Sequence, residues 1–411
     1  MNKTLLALGA VVLAPLGLAV HAQSPALTAR SFVSSPAALG MGDAGVAFAT
    51  PGTAFFYNPA HLATAAGLKP RINLLGLRVQ GTTNLKEQYD FFDEELKPAI
   101  DRGIENLSTD ERVRLYNEAL ELGGTRTYAG SDVLLPNVTM QVAGIGVGGG
   151  LFARNLVRYR ISDAGAGVPN INFAGQSDLT ALASGAVDFG RYGLGGLAVG
   201  VTAKYTRRFL TLKDKPIDAF SENESIYLLK GDNVGFDAGF TYALDAIPVP
   251  GRITLGAAVY DVAASGFDYE DADRVLYGDD ANVDPATVED EIALANRDFE
   301  LSPSYRVGAA YTVPSLFGLF RETGFALDYQ GYSDPFVEGQ SFLTRLHAGA
   351  QVRLARVLAV RAGLGQGYTS AGAGLAFGPI RLDYAFFGQE DGRMPGQVPS
   401  WNHTLQLAFA L

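Results

Sequence analysis

The sequence predicts an all-β fold, a transmembrane antiparallel β-barrel of about fourteen strands. Three observations predict it. Period-two alternation of apolar with small or polar residues recurs in fourteen segments. The connections between those segments are alternately long and short. The chain is rich in glycine and aromatic residues and has no cysteine.

The alternation is cleanest at the C-terminus. Odd positions there read Trp401, His403, Leu405, Leu407, Phe409 and Leu411, and even positions read Asn402, Thr404, Gln406, Ala408 and Ala410. Successive strand side chains point to opposite faces, so one face is apolar and the other small or polar. A last strand of this kind resembles the assembly signal of outer-membrane barrels. That signal usually ends in Phe, whereas here Phe409 comes two residues before the terminal Leu411. The pattern recurs near 71–80, 133–143, 146–161, 177–189, 194–212, 229–244, 251–262, 303–313, 321–332, 341–354, 357–366, 370–377, 379–388 and 400–411. Most of these are long enough for a tilted bilayer crossing of about 9–11 residues.

With both termini on the inner side, the outer connections are 81–132, 162–176, 213–228, 263–302, 333–340, 367–369 and 389–399. The inner ones are 144–145, 190–193, 245–250, 314–320, 355–356 and 378. Long outer loops and short inner turns carrying Gly or Pro are the layout of a bacterial barrel. The first outer loop is helical: Ser108 and Glu111 form a capping box before 112–122, and Gly123-Gly124 ends that helix. An earlier helical piece covers 87–103. The loop 263–302 is acidic, with twelve Asp or Glu and two Arg between Asp268 and Glu300, close to the whole-chain net charge of −11.

The N-terminus reads as a secretory signal. Lys3 is followed by an apolar run from Leu5 to Val20, and Val20-His21-Ala22 places small residues at a cleavage site, so residues 1–22 are removed and the mature chain begins at Gln23. A retained signal anchor is the alternative, but the run is short for a spanning helix, which needs about 20 residues. Glycine accounts for 49 of 411 residues, with 24 Phe, 18 Tyr and one Trp. A large soluble β-rich periplasmic protein could share that composition, but not the loop alternation. The negative net charge argues against nucleic acid as a partner.

If the apolar faces meet lipid, then Asp188, Lys204, Asp237, Asp328, Arg345, His347, Arg353, Arg361, Arg381 and Asp383 face the lumen. A lipid-facing Arg or Lys near the midplane would cost roughly 2–4 kcal/mol, which strongly favours that register. Mixed signs imply internal ion pairs, with a polar permeation path as the alternative. In the acidic loop, Asp268, Glu270, Asp271 and Asp273, or Asp279, Asp280 and Asp284, offer oxygen ligands for a hard cation. The turn glycine of an EF-hand loop is missing, so a solvated loop is the better reading and no metal or cofactor is expected. No nucleophile elbow or zinc-helix motif occurs. Ser400 and His403 are the remaining hydrolase-like pair, with no residue to orient the base, so the chain is not read as an enzyme.

The most specific motif is N-terminal. Ala37-Ala38-Leu39-Gly40-Met41-Gly42-Asp43-Ala44-Gly45-Val46-Ala47 precedes Phe55-Phe56-Tyr57-Asn58-Pro59-Ala60. It resembles the signature of the FadL-like superfamily of outer-membrane barrels, which includes long-chain fatty acid transporters, TraF-like barrels and PorV-like secretion components. The close match covers about 30 residues. The resemblance implies that 23–70 form a plug or hatch inside the barrel 71–411, with Gly40, Gly42, Gly45, Asn58, Pro59 and Ala60 in it. An ordinary Gly-rich strand and turn is the plainer reading. The resemblance further implies passage of hydrophobic or amphipathic small molecules across the outer membrane. The partners would be outer-membrane lipid and a hydrophobic small-molecule ligand. Tyr89, Phe91 and Phe92 of the first loop would contact an apolar substrate, and the Gly-dense runs 144–150 and 193–200 would kink to open a lateral gate. The alternative is a PorV-like or TraF-like scaffold whose outer loops hold a protein partner. The two differ in the lumen: a continuous apolar pocket favours transport, and a filling of ion pairs favours a scaffold. The chain isolated from outer membranes is expected to start at Gln23, as intact-mass measurement would read. A mass including residues 1–22 would support the anchor.

Overall fold

The computed structural model describes residues 34–48, 54–64, 71–124, 126–163, 167–220, 226–244, 250–277, 285–299, 301, 303–313, 320–332, 339–355 and 357–411. The expected signal peptide lies outside these residues, as do 23–33, 49–53 and 65–70 of the expected plug.

In lipid, backbone N–H and C=O groups must find partners within the protein, and a closed sheet supplies them all. The described strands are β1 (Arg71–Thr82), β2 (Arg126–Val142), β3 (Ile145–Asp163), β4 (Pro169–Asp188), β5 (Leu197–Pro216), β6 (Ile226–Ala243), β7 (Arg252–Val262), β8 (Glu270–Tyr277), β9 (Ser304–Val313), β10 (Phe320–Tyr332), β11 (Leu346–Leu354), β12 (Leu358–Gly365), β13 (Tyr368–Phe377), β14 (Ile380–Glu390) and β15 (Pro399–Ala410). Fourteen of them form a closed antiparallel ring in chain order, with β7 next to β9 and β15 next to β1. β8 stays outside the ring and lengthens the outer end of β6, with Glu270 opposite Lys230. The expected all-β barrel is thus present, with one strand more than the ring uses.

The register follows the alternation. On β1, Leu75, Leu77 and Val79 are exposed while Arg78 and Thr82 are buried. On β15, Leu405, Leu407 and Phe409 are exposed while Asn402 and Thr404 are buried. The exposed apolar positions continue around the ring through Val147, Val201, Phe236, Leu255, Phe325 and Val360. A soluble monomer rarely exposes an apolar patch beyond a few hundred Å². A belt around a closed barrel is a lipid-facing surface, and the protein is a transmembrane β-barrel. Among the described residues no helix is long and apolar enough to cross a membrane. The turn between β2 and β3 is two residues, Ala143 (φ 51°) and Gly144 (φ 82°), both left-handed as the tightest hairpin requires.

β3, β4, β5 and β6 run 19, 20, 20 and 18 residues. A tilted crossing takes about 9–11, so their outer ends stand clear of the bilayer, and loop structures pack on both faces of them. On the face that carries lipid-exposed Leu151 and Leu179 lower down lie Ile161 and Ile171. The first outer loop, with helices Leu85–Phe91, Lys97–Arg102 and Thr109–Glu121, buries Phe91, Leu96, Ile100, Ile104 and Leu115 against them. Ser108 caps the last of these helices, its Oγ accepting from Glu111 N at 3.3 Å while the Glu111 carboxylate accepts from Ser108 N at 3.0 Å.

The acidic segment is a correction. It is not a solvated loop but holds β8 and the helix Pro285–Asp298, and it folds onto the inward face. Phe267, Tyr269, Ala295 and Phe299 bury against Leu210, Leu212 and Leu229. The cause is helical spacing: Val288, Ile292, Ala295 and Phe299 share one stripe, and Glu291 beside it is buried against Lys213 at 3.0 Å.

Other differences are smaller. Phe91 is buried in the loop core and Phe92 packs on it, so of the three loop aromatics only Tyr89 is exposed. The glycine run 144–150 ends opposite the one register shift between β2 and β3. The β3–β4 and β5–β6 ladders are unbroken, and the irregularity falls in β2, between Leu134 and Asn137. Pro136 sits there, and a proline cannot donate to the ladder. Replacing Ser108 with Ala is expected to destabilise the helix Thr109–Glu121 by about 1 kcal/mol, read as faster amide exchange confined to that helix.

Candidate functional site

A ring of fourteen strands encloses more room than its own side chains fill, and the N-terminal segment occupies it. Residues 34–48 run along β7 and β9 to β15, and residues 54–64 run along β2 to β7. The fit depends on inward glycines. A Cβ at Gly372 would stand 3.0 Å from Gly40 Cα, one at Gly256 would stand 2.6 Å from Val46 O, and one at Gly200 would stand 2.6 Å from Ala60 N. Gly146, Gly239, Gly349 and Gly363 likewise lie under Leu62, Asn58, Met41 and Gly42. The glycine excess in the composition is therefore in good part a groove cut for one segment of backbone. Gly42 itself needs its missing Cβ twice over. It has φ 68°, and a Cβ there would stand 2.6 Å from Ala348 O.

Polar groups complete the seat. Gly45 N and Val46 N donate to Asp328 Oδ2 on β10 at 2.6 and 2.9 Å. Gly42 N donates to Ser370 Oγ on β13 at 2.9 Å, and Gly42 O lies 2.7 Å from His347 Nδ1 on β11. Asn58 is fully buried. Its Nδ2 donates to Val46 O at 3.0 Å and to Phe240 O at 2.9 Å, and its Oδ1 accepts from Ala60 N at 3.1 Å. One amide thus joins the two halves of the segment to β6, and Pro59 and Ala60 follow it against Gly200. Asp43 accepts from Tyr57 Oη at 2.7 Å and from Arg306 of β9 at 2.5 Å. Burial alone would raise the Asp43 carboxyl, but Arg306, with His347 and Tyr57, outweighs it and holds the pKa at about 2. Burial pushes His61 down to about 4, so the ring is neutral at pH 7 and Nε2, 3.1 Å from Val46 O, is the protonated nitrogen.

The ionisable residues singled out from the sequence fall into separate groups. Asp328 and His347 hold the N-terminal segment. Lys204 pairs with Asp237 at 2.6 Å and with Asp261 at 2.7 Å, all three buried. Arg361 donates to Asp383 at 2.8 Å and to Gln351 at 2.7 Å, and half-exposed Arg381 reaches Asp383 at 2.7 Å. Arg353 is half-buried on β11. Asp188 ends β4 and accepts from Gly190 N at 2.9 Å, capping the turn Phe189–Tyr192. Arg345 is corrected: it is the last residue of a short helix, Phe342–Arg345, before β11 begins, and it reaches Tyr329 Oη at 3.4 Å.

Several members were missed, although each carries the same period-two signal. Arg78 lies between Leu77 and Val79, and Arg306 between Tyr305 and Val307. Arg78 pairs with Asp132, which also takes Arg154 at 3.4 Å, and Arg78 donates to Ser34 O. Arg208 forms a fork with Asp178 at 2.7 and 2.8 Å and donates to Phe299 O at 3.3 Å. Pairs this deeply buried give up hydration for their attraction, so they fix arrangement more than they add stability.

On the outer side of the N-terminal segment lies a cavity of about 120 Å³, bounded by β1–β3 and β11–β14. A small recess elsewhere joins Phe56 of the segment to Leu134, Asn137, Gly150 and Leu151, at the break in β2. Ser400 is buried on the inward face of β15 and His403 is on the outward face, 2.7 Å from Tyr384 Oη, so those two share no reaction space. Among the described residues no group of three His, Asp or Glu is placed to hold a metal ion. Replacing Asp328 with Ala removes two hydrogen bonds to a charged acceptor, each worth about 1.5–3 kcal/mol. Exchange of the Gly45 and Val46 amides is expected to rise at least tenfold while the barrel amides keep their protection.

No protein-family model matches the chain, and no curated protein matches it. Solved structures do. A TodX deltaS2S3 mutant monoaromatic hydrocarbon channel superposes with TM-score 0.50 at 13% identity over 92% of this chain and 97% of its own. The toluene transporter TbuX of Ralstonia pickettii gives 0.49 at 13% identity over 92% and 97%. A Pseudomonas aeruginosa FadL homologue gives 0.41 at 13% over 96% and 98%. With a closed fourteen-strand ring and an N-terminal segment seated inside it, the chain has the fold of a FadL-like outer-membrane barrel.

Proposed function

We propose that the protein passes hydrophobic or amphipathic small molecules across the outer membrane, with the N-terminal segment as the hatch that closes its lumen. The observation that carries this reading is the cavity on the outer side of that segment. A compound entering from the loop side reaches it and can go no further while residues 34–48 and 54–64 stay seated. The barrel whose fold this chain shares is described as a monoaromatic hydrocarbon channel, which supports the same class of cargo.

The exit is the break in β2. Pro136 leaves the ladder between Leu134 and Asn137 unpaired, and the recess there runs from Phe56 of the hatch to lipid-exposed Leu151. A small shift of Phe56, which meets Phe152 edge-to-face at 5.6 Å, would join lumen to bilayer without unseating the whole hatch. The scaffold reading has no observation of its own in its favour, because the ion pairs of the interior line or brace a cavity rather than filling the lumen.

The barrel refolded into liposomes is expected to show little swelling with a small sugar and saturable binding of a short amphipathic probe such as hexanoate. Deleting residues 40–60 is expected to raise the swelling rate severalfold. An unchanged rate and no saturable binding would count against a hatch-gated channel.

A further inference from the structure

We propose that the cavity outside the hatch is a binding site for a compact organic anion, a carboxylate on a body about the size of one ring, centred on Arg158. The proposal rests on the transport reading and names its substrate class.

Three arginines line the cavity, Arg78, Arg154 and Arg158. Arg78 and Arg154 share the single carboxylate of Asp132. The other lining carboxylate, Asp43, is taken by Arg306 at 2.5 Å. Arg158 is different. Among the described residues no carboxylate lies within ion-pair distance of it, and its Nε is buried without a hydrogen-bond partner. Its charged neighbours are Arg126, Asp391 and Arg208; Asp391 already faces Arg126 at 3.4 Å, and Arg208 is paired with Asp178. What Arg158 touches is the face of Phe299, with the guanidinium carbon 5.1 Å from the ring centroid. A stacked guanidinium keeps its edge free for a planar anion, and a guanidinium left without one at a buried site is costly. The cavity is thus short of negative charge at one place, and a bound anion would restore it.

The size and the remaining walls narrow the class. About 120 Å³ is close to the roughly 150 Å³ that holds a benzene ring in an apolar protein cavity. It encloses a short or single-ring body, and a longer acyl chain would extend beyond it. Leu39, Leu156 and Phe387 supply apolar wall for such a body. A neutral hydrocarbon would fill the space and leave Arg158 unmatched.

Phe299 closes the acidic segment that folds over the inward face of β5 and β6, so the Arg158 stack also ties the site to the cover above it. An anion at Arg158 therefore bears on the packing of that cover as well as on its own affinity.

The test is calorimetric titration of the full-length barrel in detergent micelles with benzoate, toluene, palmitate and inorganic phosphate. Benzoate is expected to bind saturably and at least tenfold more tightly than the other three. Arg158→Gln is expected to weaken benzoate at least tenfold, and Arg158→Lys, which keeps the charge, to weaken it less. Far-UV circular dichroism of both variants establishes that the barrel is intact. Toluene or palmitate binding as well as benzoate, an Arg158→Gln variant with unchanged benzoate affinity, or phosphate binding equal to benzoate would each overturn the proposal. Saturable toluene or palmitate binding without benzoate binding would overturn it while leaving the transport reading in place. Failure of every ligand, together with no leak on deleting residues 40–60, would overturn both.

Discussion

Closing a β-sheet in lipid satisfies every backbone hydrogen bond, but at fourteen strands the closed ring leaves a lumen that its own side chains cannot fill. Most of this structure answers to that space. The N-terminal segment fills its inner part, the acidic segment covers part of its outer mouth, and a cavity remains between the segment and the loops. The inward faces of the strands are built for those occupants. Where backbone must approach backbone, they carry glycine at Gly146, Gly200, Gly256, Gly349, Gly363 and Gly372. Where the segment turns and exposes N–H groups, they carry an acceptor, Asp328 or Ser370.

The electrostatics obey the same demand. A charge inside the barrel is shielded from bulk water and needs a partner within reach. Lys204 is met by Asp237 and Asp261, Arg208 by Asp178, and Arg361 by Asp383. Arg306 is met by Asp43, a residue of the seated segment. That last pair couples segment to wall: unseating residues 34–48 would separate a buried guanidinium from its carboxylate, and the cost resists opening. The bonds from Asp328 to two successive amides act in the same direction. Apolar contacts add to them, with Phe56 and Leu62 packed against Phe152 and Leu182, and Met41 and Val46 against Ala258, Ala310 and Ala326.

Much of the ring was legible in the sequence because a half-lipid, half-lumen strand has a fixed period. Each of the fourteen expected segments corresponds to a strand of the ring. Their lower ends agree within a few residues, because the inner turns are marked by glycine and proline. The upper ends of β2 and β4 were not legible. There the strand leaves the bilayer, both faces are packed, and the alternation that marks a lipid face disappears. Ile161 and Ile171 read as ordinary strand residues, and nothing local says that helices from the first loop cover them. The acidic segment was misread for a related reason: its carboxylates dominate the composition, and its apolar stripe of Val288, Ile292, Ala295 and Phe299 is narrow. Arg306 and Arg208 carried a readable signal, an ionisable residue between outward apolar neighbours, yet only their partners in space give them a role.

The sequence by itself determined the sheet, its register and the direction in which every strand side chain points, because period two leaves one arrangement that keeps charge out of lipid. It also determined which short segment stands apart from the strands, since the glycines and the Asn58-Pro59 pair have no place in such a pattern. Tertiary structure alone decided what those glycines serve, which charges neutralise each other, and which one is left over. Those are questions of distance between residues tens to hundreds of positions apart, such as Asp43 with Arg306 or Arg158 with Phe299. No local period encodes them, because they exist only once the ring has closed and brought its inward faces around a common space.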